Sequence, residues 1–248
     1  MNILLTNDDG VESRGLQLLC GTLSAMKDVD VYVVAPDSER SAFSHAINFH
    51  REVGFLPLKR YFGAVMAFAS HGTPADCVKF AVKNLNIPFD LVISGPNNGE
   101  NYGHDILYSG TVGAAEEAVL CGMRAVALSR LGSSSDFSAC VGFIKDNLHK
   151  LLRFDYTQSL LNINVPALPY NEVKDKVKVT AQGGALFDDY YQKADAEHHW
   201  ILVGDKVFTD LDADCDVAWA EKGYITVTPL TITQTDFDKM QKAKELFE

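Results

Sequence analysis

The sequence predicts an α/β fold: a doubly wound, mostly parallel sheet with helices on both faces, followed by an antiparallel hairpin and helix extension. Three observations carry this. Short, continuously apolar runs at residues 2–6 and 29–35 suit strands that are covered on both sides. Between them Leu16, Leu19, Cys20 and Leu23 recur at helical spacing. Strand and helix signals then alternate as far as Pro166, where the texture changes.

Later elements follow the same logic. In "GTPADCVKFAV" Thr73 is placed to cap a helix, with Pro74 at its first position and Asp76 in its first turn. Residues 90–94 read as a strand that ends in the turn-rich "GPNNGENYG". A helix starting near Thr111 runs through "VGAAEEAVLCG" to a stop at Gly122. A strand at 125–129, an amphipathic helix at 137–152 and the strand "LLNINVP" complete the core, 1–166. In 167–248, strand-like runs at 176–180, 200–203 and 224–228 lie among acidic and Gly-containing turns, with no helix expected before 236–247. The whole chain, 1–248, reads as one domain with this extension appended to its sheet.

The 248 residues are 47% hydrophobic. A chain of that length buries roughly 70–75% of its unfolded surface, so its core requires no disulfide or structural zinc. The net charge of -11, from 22 basic and 33 acidic residues, repels phosphate backbones and anionic lipid, so neither a nucleic-acid polymer nor a membrane is expected as partner. Five scattered cysteines without a Cys-x-x-Cys pair suggest reduced thiols. With no leader-like start and no apolar run of transmembrane length, a soluble cytoplasmic protein is expected.

In an open parallel sheet, ligands bind outside the carboxyl ends of the strands. "LLTNDDG" places Asn7, Asp8 and Asp9 there, "APDSERSAFSH" follows the second strand, and "SGPNNG" follows the strand at 90–94. Asp8, Asp9, Ser41, Asn97 and Asn98 are thereby directed to one crevice. Two carboxylates with hydroxyl and amide oxygens suit a hard cation of the Mg²⁺, Mn²⁺ or Ca²⁺ type, which offsets the repulsion between Asp8 and Asp9. An ordinary Asx/Gly turn would use the same four residues, Asn-Asp-Asp-Gly. Three oxygen-rich loops at one sheet edge favour a site. Zinc is disfavoured, because no His or Cys stands at ligand spacing near these loops.

"YSGTVGAAEEA" puts Ser109, Gly110 and Thr111 at a helix start, where free N–H groups and the helix dipole favour an anion. Thr111 as a plain N-cap is the alternative. There is no Walker A or Gly-x-Gly-x-x-Gly sequence. A divalent cation facing a helix N-terminus suits a phosphate monoester. His45 is a candidate for either substrate contact or a surface role. "DADCD" at 212–216 is either a second metal site or a solvated turn, and Trp200 and Trp219 serve packing rather than base stacking.

Taken together, "ILLTNDDG", "VVAPDSERSA", "GTPADCVK", "DLVISGPNNGENYGHDILYSGTVGAAEEA", "LNINVP" and "GYITVTPL" resemble the SurE family of survival proteins, metal-dependent nucleotidases and phosphatases, over essentially the whole chain. The resemblance implies a Rossmann-like core and one divalent metal per subunit, Mg²⁺ or Mn²⁺, held by Asp8, Asp9, Ser41 and Asn97. It places Asn7, Ser109, Gly110 and Thr111 at or near the phosphate, and Asn98 faces the same crevice. Nucleoside 5′- and 3′-monophosphates, and short polyphosphate, are the implied substrates. A homodimer or homotetramer with an exchanged C-terminal segment is the implied assembly. Cys215, where the family often has Thr, and Pro96, where an aliphatic residue is more usual, depart from the pattern.

Two other readings compete. Attack on phosphorus by Asp8 would give an aspartyl phosphate, but haloacid-dehalogenase-type phosphatases carry Asp-x-Asp rather than adjacent carboxylates. A non-enzymatic phospho-acceptor resembling a receiver domain would need an aspartate after the third strand and a lysine after the fifth. Ser129-Arg130 follows the corresponding late strand here.

Overall fold

The computed structural model describes residues 1–132, 134–184, 186–207 and 212–248. Its elements are β1 (Asn2–Thr6), α1 (Arg14–Ser24), β2 (Asp30–Pro36), β3 (Phe55–Pro57), β4 (Met66–Ser70), α2 (Pro74–Asn84), β5 (Leu91–Asn98), α3 (Gly110–Leu120), β6 (Ala125–Arg130) and α4 (Ser138–Leu151). They continue with β7 (Ser159–Val165), α5 (Tyr170–Val173), β8 (Val177–Val179), β9 (Leu186–Lys193), β10 (Trp200–Val207), α6 (Asp216–Glu221), β11 (Ile225–Thr231) and α7 (Phe237–Phe247).

The main sheet runs β3-β4-β2-β1-β5-β6-β7-β11-β8. From β4 to β7 every neighbouring pair is parallel. Side chains alternate between two apolar layers. Ile3 and Leu5 of β1 face the layer that contains Leu16, Leu19 and Ile144 of α1 and α4. Leu4 faces Val78, Ala81 and Ala115 of α2 and α3. The expected α/β doubly wound sheet is therefore present, with its helices on both faces. Because β1 continues leftward to β2 while β5 returns on its right, the crevice between β1 and β5 is the topological switch point.

Local signals explain several boundaries. Thr73 and Asp76 form a capping box at α2, with Thr73 Oγ1 accepting from Asp76 N–H at 3.1 Å and Asp76 Oδ2 accepting from Thr73 N–H at 3.0 Å. The cap of α3 is Ser109, whose hydroxyl accepts from Val112 N–H at 3.0 Å. The plain N-cap alternative for Thr111 is thereby corrected: one residue after the helix starts, its side chain is engaged elsewhere.

Two further expectations change. Residues 95–98 continue β5 rather than leaving it as a turn. After a register shift and the cis Gly95–Pro96 bond, Asn97 and Asn98 pair with Ser129 and Arg130. A Cβ on Gly95 would lie 2.1 Å from Leu128 O, so the strand stays paired here only with glycine. The region after Pro166 also extends the main sheet. β11 pairs antiparallel with β7, β8 adds to β11, and the short helix α6 precedes β11. The separate antiparallel hairpin is β9–β10 alone. All five cysteines are free, and among the described residues no helix is long and apolar enough to cross a membrane.

Candidate active site

β1 ends at Thr6 and delivers the Asn-Asp-Asp-Gly loop to the switch point. Asn7 is fully buried, and its amide donates to Gly10 O at 3.0 Å and to Ser13 Oγ at 2.7 Å. It holds the turn from inside, while its Oδ1 has no hydrogen-bond partner among the described residues. Asp8, next in the chain, is only 4% exposed. Thr111 serves it twice: the hydroxyl donates to Oδ1 at 2.5 Å and the backbone N–H donates to Oδ2 at 3.1 Å. Gly110 permits this approach, since a Cβ there would lie 3.0 Å from both Cβ and Oδ2 of Asp8. The anion at the start of α3 is thus a carboxylate of the protein itself.

Asp9 is less buried, and its Oδ2 accepts from the Asn98 N–H at 3.0 Å. Burial pushes both carboxyl groups up. Asp9 rises to about 6, through burial first and the neighbouring Asp8 charge second. Two adjacent carboxyl groups with little water around them each raise the cost of ionising the other.

The second loop is tied to the first by Arg40 N–H, which donates to Asp8 O at 2.7 Å. Ser41 follows it, exposed, with its hydroxyl donating to Glu39 Oε1 at 2.7 Å. Asp8, Ser41, Asn97, Asn98 and Ser109 line one cleft of about 740 Å³, whose far wall includes Leu202 and Val203 of the hairpin. Asp9 opens on a neighbouring depression with Glu39 and Arg14, and Asn98 borders both. Of the residues expected here, Asn7 and Thr111 are fully buried, behind the cleft rather than on its surface.

His45 is engaged by α3. Its ring nitrogens lie 3.2 Å from Glu116 and 2.9 Å from Glu117, and Lys79 reaches Glu117 at 2.6 Å. Hydrogen bonds to Glu116 and Glu117 raise the imidazole to about 9. The loop carrying Ser41 is therefore clamped, and Gly113 lets it sit close, because a Cβ there would be 2.5 Å from Ser44 O. Asp216 is likewise structural: its buried carboxylate accepts from the N–H groups of Gly183, Val217 and Gly103. Trp219 packs edge-on against Tyr224 and lies under Lys178 and Lys222.

Three features were not anticipated. Asn101, buried beneath the cleft, donates from N–H to Asn164 Oδ1 and from its amide to Ser129 Oγ, while its carbonyl accepts from both Asn162 and Asn164. The polar residues alternating in "LNINVP" were a readable sign of this network. Arg130 ends β6, whose first four residues are apolar, at 1% exposure. A buried charge at a strand end was its signal. Finally, the hairpin forms part of the cleft wall, which no local pattern indicated.

Comparison with known proteins agrees with this geometry. A family model described as "Survival protein SurE" matches residues 3–189. The 5′-nucleotidase SurE of Desulfitobacterium hafniense is 39% identical, the match covering 99% of this chain and 96% of that protein. The 5′-nucleotidase SurE of Petrotoga mobilis is 38% identical, with 100% of both chains covered. The crystal structure of the SurE protein from Aquifex aeolicus matches at a TM-score of 0.84 and 30% identity, again over 100% of both chains. This chain belongs to the SurE family.

Proposed function

We propose that this chain is a metal-dependent 5′-nucleotidase, hydrolysing nucleoside 5′-monophosphates to nucleoside and inorganic phosphate. The observation that carries this reading is the Asp8–Asp9 pair, buried at the switch-point crevice beside the start of α3. The printed activity of the relatives supports it. No comparison favours the receiver-like alternative, and turnover of p-nitrophenyl phosphate separates the two.

Asp8, Asp9, Ser41 and Asn97 are the residues that would hold one divalent cation. The fit is chemical: the set offers two carboxylates with hydroxyl and amide oxygens. Among the described residues no cluster of three or more His, Cys, Asp or Glu side chains stands as a competitor. Such oxygen donors select Mg²⁺ or Mn²⁺ over softer ions. When bound, the cation supplies Lewis acidity to a phosphoryl oxygen and acidity to water.

The chain's own groups do the rest. Thr111 orients Asp8 through two hydrogen bonds that favour its charged form against the burial opposing it. Asn98 N–H fixes one oxygen of Asp9, leaving Oδ1, which makes no other hydrogen bond among the described residues, to take a proton from water. Ser109 and Asn98 lie on the cleft surface where a phosphate would enter, with Asn7 and Gly110 setting the loop and helix behind them. Residues 1–248 act as one domain in this reading. Its subunits pair as a homodimer or homotetramer through an exchanged C-terminal segment, consistent with the uncovered apolar residues of β9–β10 and α7.

The test is a panel of nucleoside 5′- and 3′-monophosphates and short polyphosphate, assayed after chelation and with Mg²⁺ or Mn²⁺ restored. Phosphate release from 5′-monophosphates that stops with chelator and returns with metal is expected. Chelator-resistant hydrolysis would overturn the metal-dependent reading, and an acid-labile phosphoenzyme would replace water attack with attack by Asp8.

A further inference from the structure

Six residues form β6, all of them buried, and the last is an arginine. Arg130 is 1% exposed, yet among the described residues no carboxylate lies within ion-pair distance of its guanidinium. Its contacts are few. Nη2 donates to Asn98 Oδ1, Nη1 reaches Leu131 O at 3.5 Å, the Phe137 ring lies 4.9 Å from Cζ, and Nε has no hydrogen-bond partner among the described residues. Burying a cation without an ion pair is costly, so a direct structural gain does not account for it. Its side-chain partner is Asn98, its cross-strand neighbour, and the backbone N–H of Asn98 is what holds Asp9.

We propose that Arg130 is a positioning residue for the metal-binding carboxylate: it locks the side chain of Asn98 and thereby fixes the N–H that orients Asp9. The proposal rests on the reading of Asp9 as a metal ligand given above. Sheet geometry makes the relay direct. Asn98 lies past the register shift in β5, where the pairing with β6 resumes, and the Arg130–Asn98 side-chain bond spans that resumed pair. Without it, the last residue of β5 is held by backbone pairing alone and its N–H is freer to swing away from Asp9.

The test is a double-mutant cycle read by calorimetric titration of Mn²⁺ into the substrate-free protein. Arg130→Met preserves bulk without the donor, and Asn98→Ala removes Oδ1 while keeping the N–H. Each is expected to weaken Mn²⁺ binding about tenfold, the lower end of what losing a partner of a metal ligand costs. The double variant should be no weaker than the worse single, because both act through one bond. Additive losses, or wild-type affinity in either single variant, would overturn the proposal, as would an Arg130→Met protein that melts lower but binds Mn²⁺ normally. If Arg130→Met does not fold, Arg130→Lys takes its place in the cycle. Asp9→Asn separates the two layers: wild-type Mn²⁺ affinity there sinks the metal-site reading itself, whereas lost affinity there, with additive losses or none in the cycle, sinks only the role of Arg130.

Discussion

The crevice at the end of β1 and the segment formed by β9, β10 and α7 treat burial in opposite ways. In the crevice, polar groups go inside: Asp8, Thr111, Asn101 and Arg130 are each at most 6% exposed and held by hydrogen bonds that cross long stretches of sequence. In the hairpin and terminal helix, apolar groups stay outside. Tyr191 is 67% exposed, Ile201 57% and Phe247 87%, and α7 buries none of its residues. An exposed apolar residue is unremarkable singly, and a buried polar one is costly unless it is paired. Both departures clustered in one chain set the two regions apart, and they fit the proposed reading of a ligand site at the first and a subunit interface at the second.

The largest expected effect breaks the first region. Asp8→Asn keeps the shape and removes the charge, so phosphate release should fall roughly 100-fold or more with the circular dichroism spectrum unchanged. Retained activity in a folded variant would remove Asp8 from the site.

Thr111→Ala comes next. It removes a buried hydroxyl that donates to an ionised group, a loss of roughly 1.5–3 kcal/mol. The expected loss, about ten- to a hundredfold, is in metal affinity, and Thr111→Ser should restore most of it. Because Ser109 is the cap of α3, helix stability should barely move. A lowered melting temperature with normal metal binding would reverse that assignment.

The second region is sharpened by deleting 233–248. Since α7 buries no residue within its own chain, its loss should leave the monomer fold intact and act only through assembly. Light scattering should show a smaller particle, and melting should drop by a few degrees as the partner surface is lost. A full-length monomer that is fully active at micromolar concentration would defeat the interface reading.

The smallest effect lies outside both regions, at His45, which is held by Glu116 and Glu117 of α3. Its folded pKa of about 9 exceeds the ordinary 6.5, so its stabilising contribution is complete below pH 6.5 and is lost as pH rises through about 9. Discounted for its partial exposure, that is on the order of 1 kcal/mol. Denaturant midpoints of the wild type should fall across this window, and those of His45→Ala should not.

Much of the first region was legible in advance. Adjacent aspartates after an apolar strand, the Thr73 cap and three oxygen-rich loops at one sheet edge are local patterns with local causes. What was missed depends on distant chain. Residues 95–98 look like a turn because Gly and Pro punctuate them, and only pairing with β6 keeps them extended. Strands β3 and β4 lie at the sheet's edge and are short, and Met66–Ser70 is built largely of small residues without strong periodicity. The acidic stretch around Asp216 resembles a solvated turn until the N–H groups of Gly103 and Gly183, from separate segments, converge on it beside that of Val217. The roles of Thr111 and Arg130 were hidden for the same reason, since each acts on a residue far away in sequence.

The place of β11 has a consequence for synthesis. β7 finds β6 on one side early, but its other edge waits for β11, and roughly 60 residues separate Val165 from Ile225. At about 5–20 residues per second, translation leaves that edge without its partner strand for roughly 3–12 s. During that interval unpaired backbone groups and the apolar face of β7 are open to holdase chaperones or to a neighbouring nascent chain. Ribosome-bound chains arrested before residue 225 should therefore crosslink to such a chaperone through β7, and chains extended far enough for Thr231 to clear the ribosome should lose that crosslink.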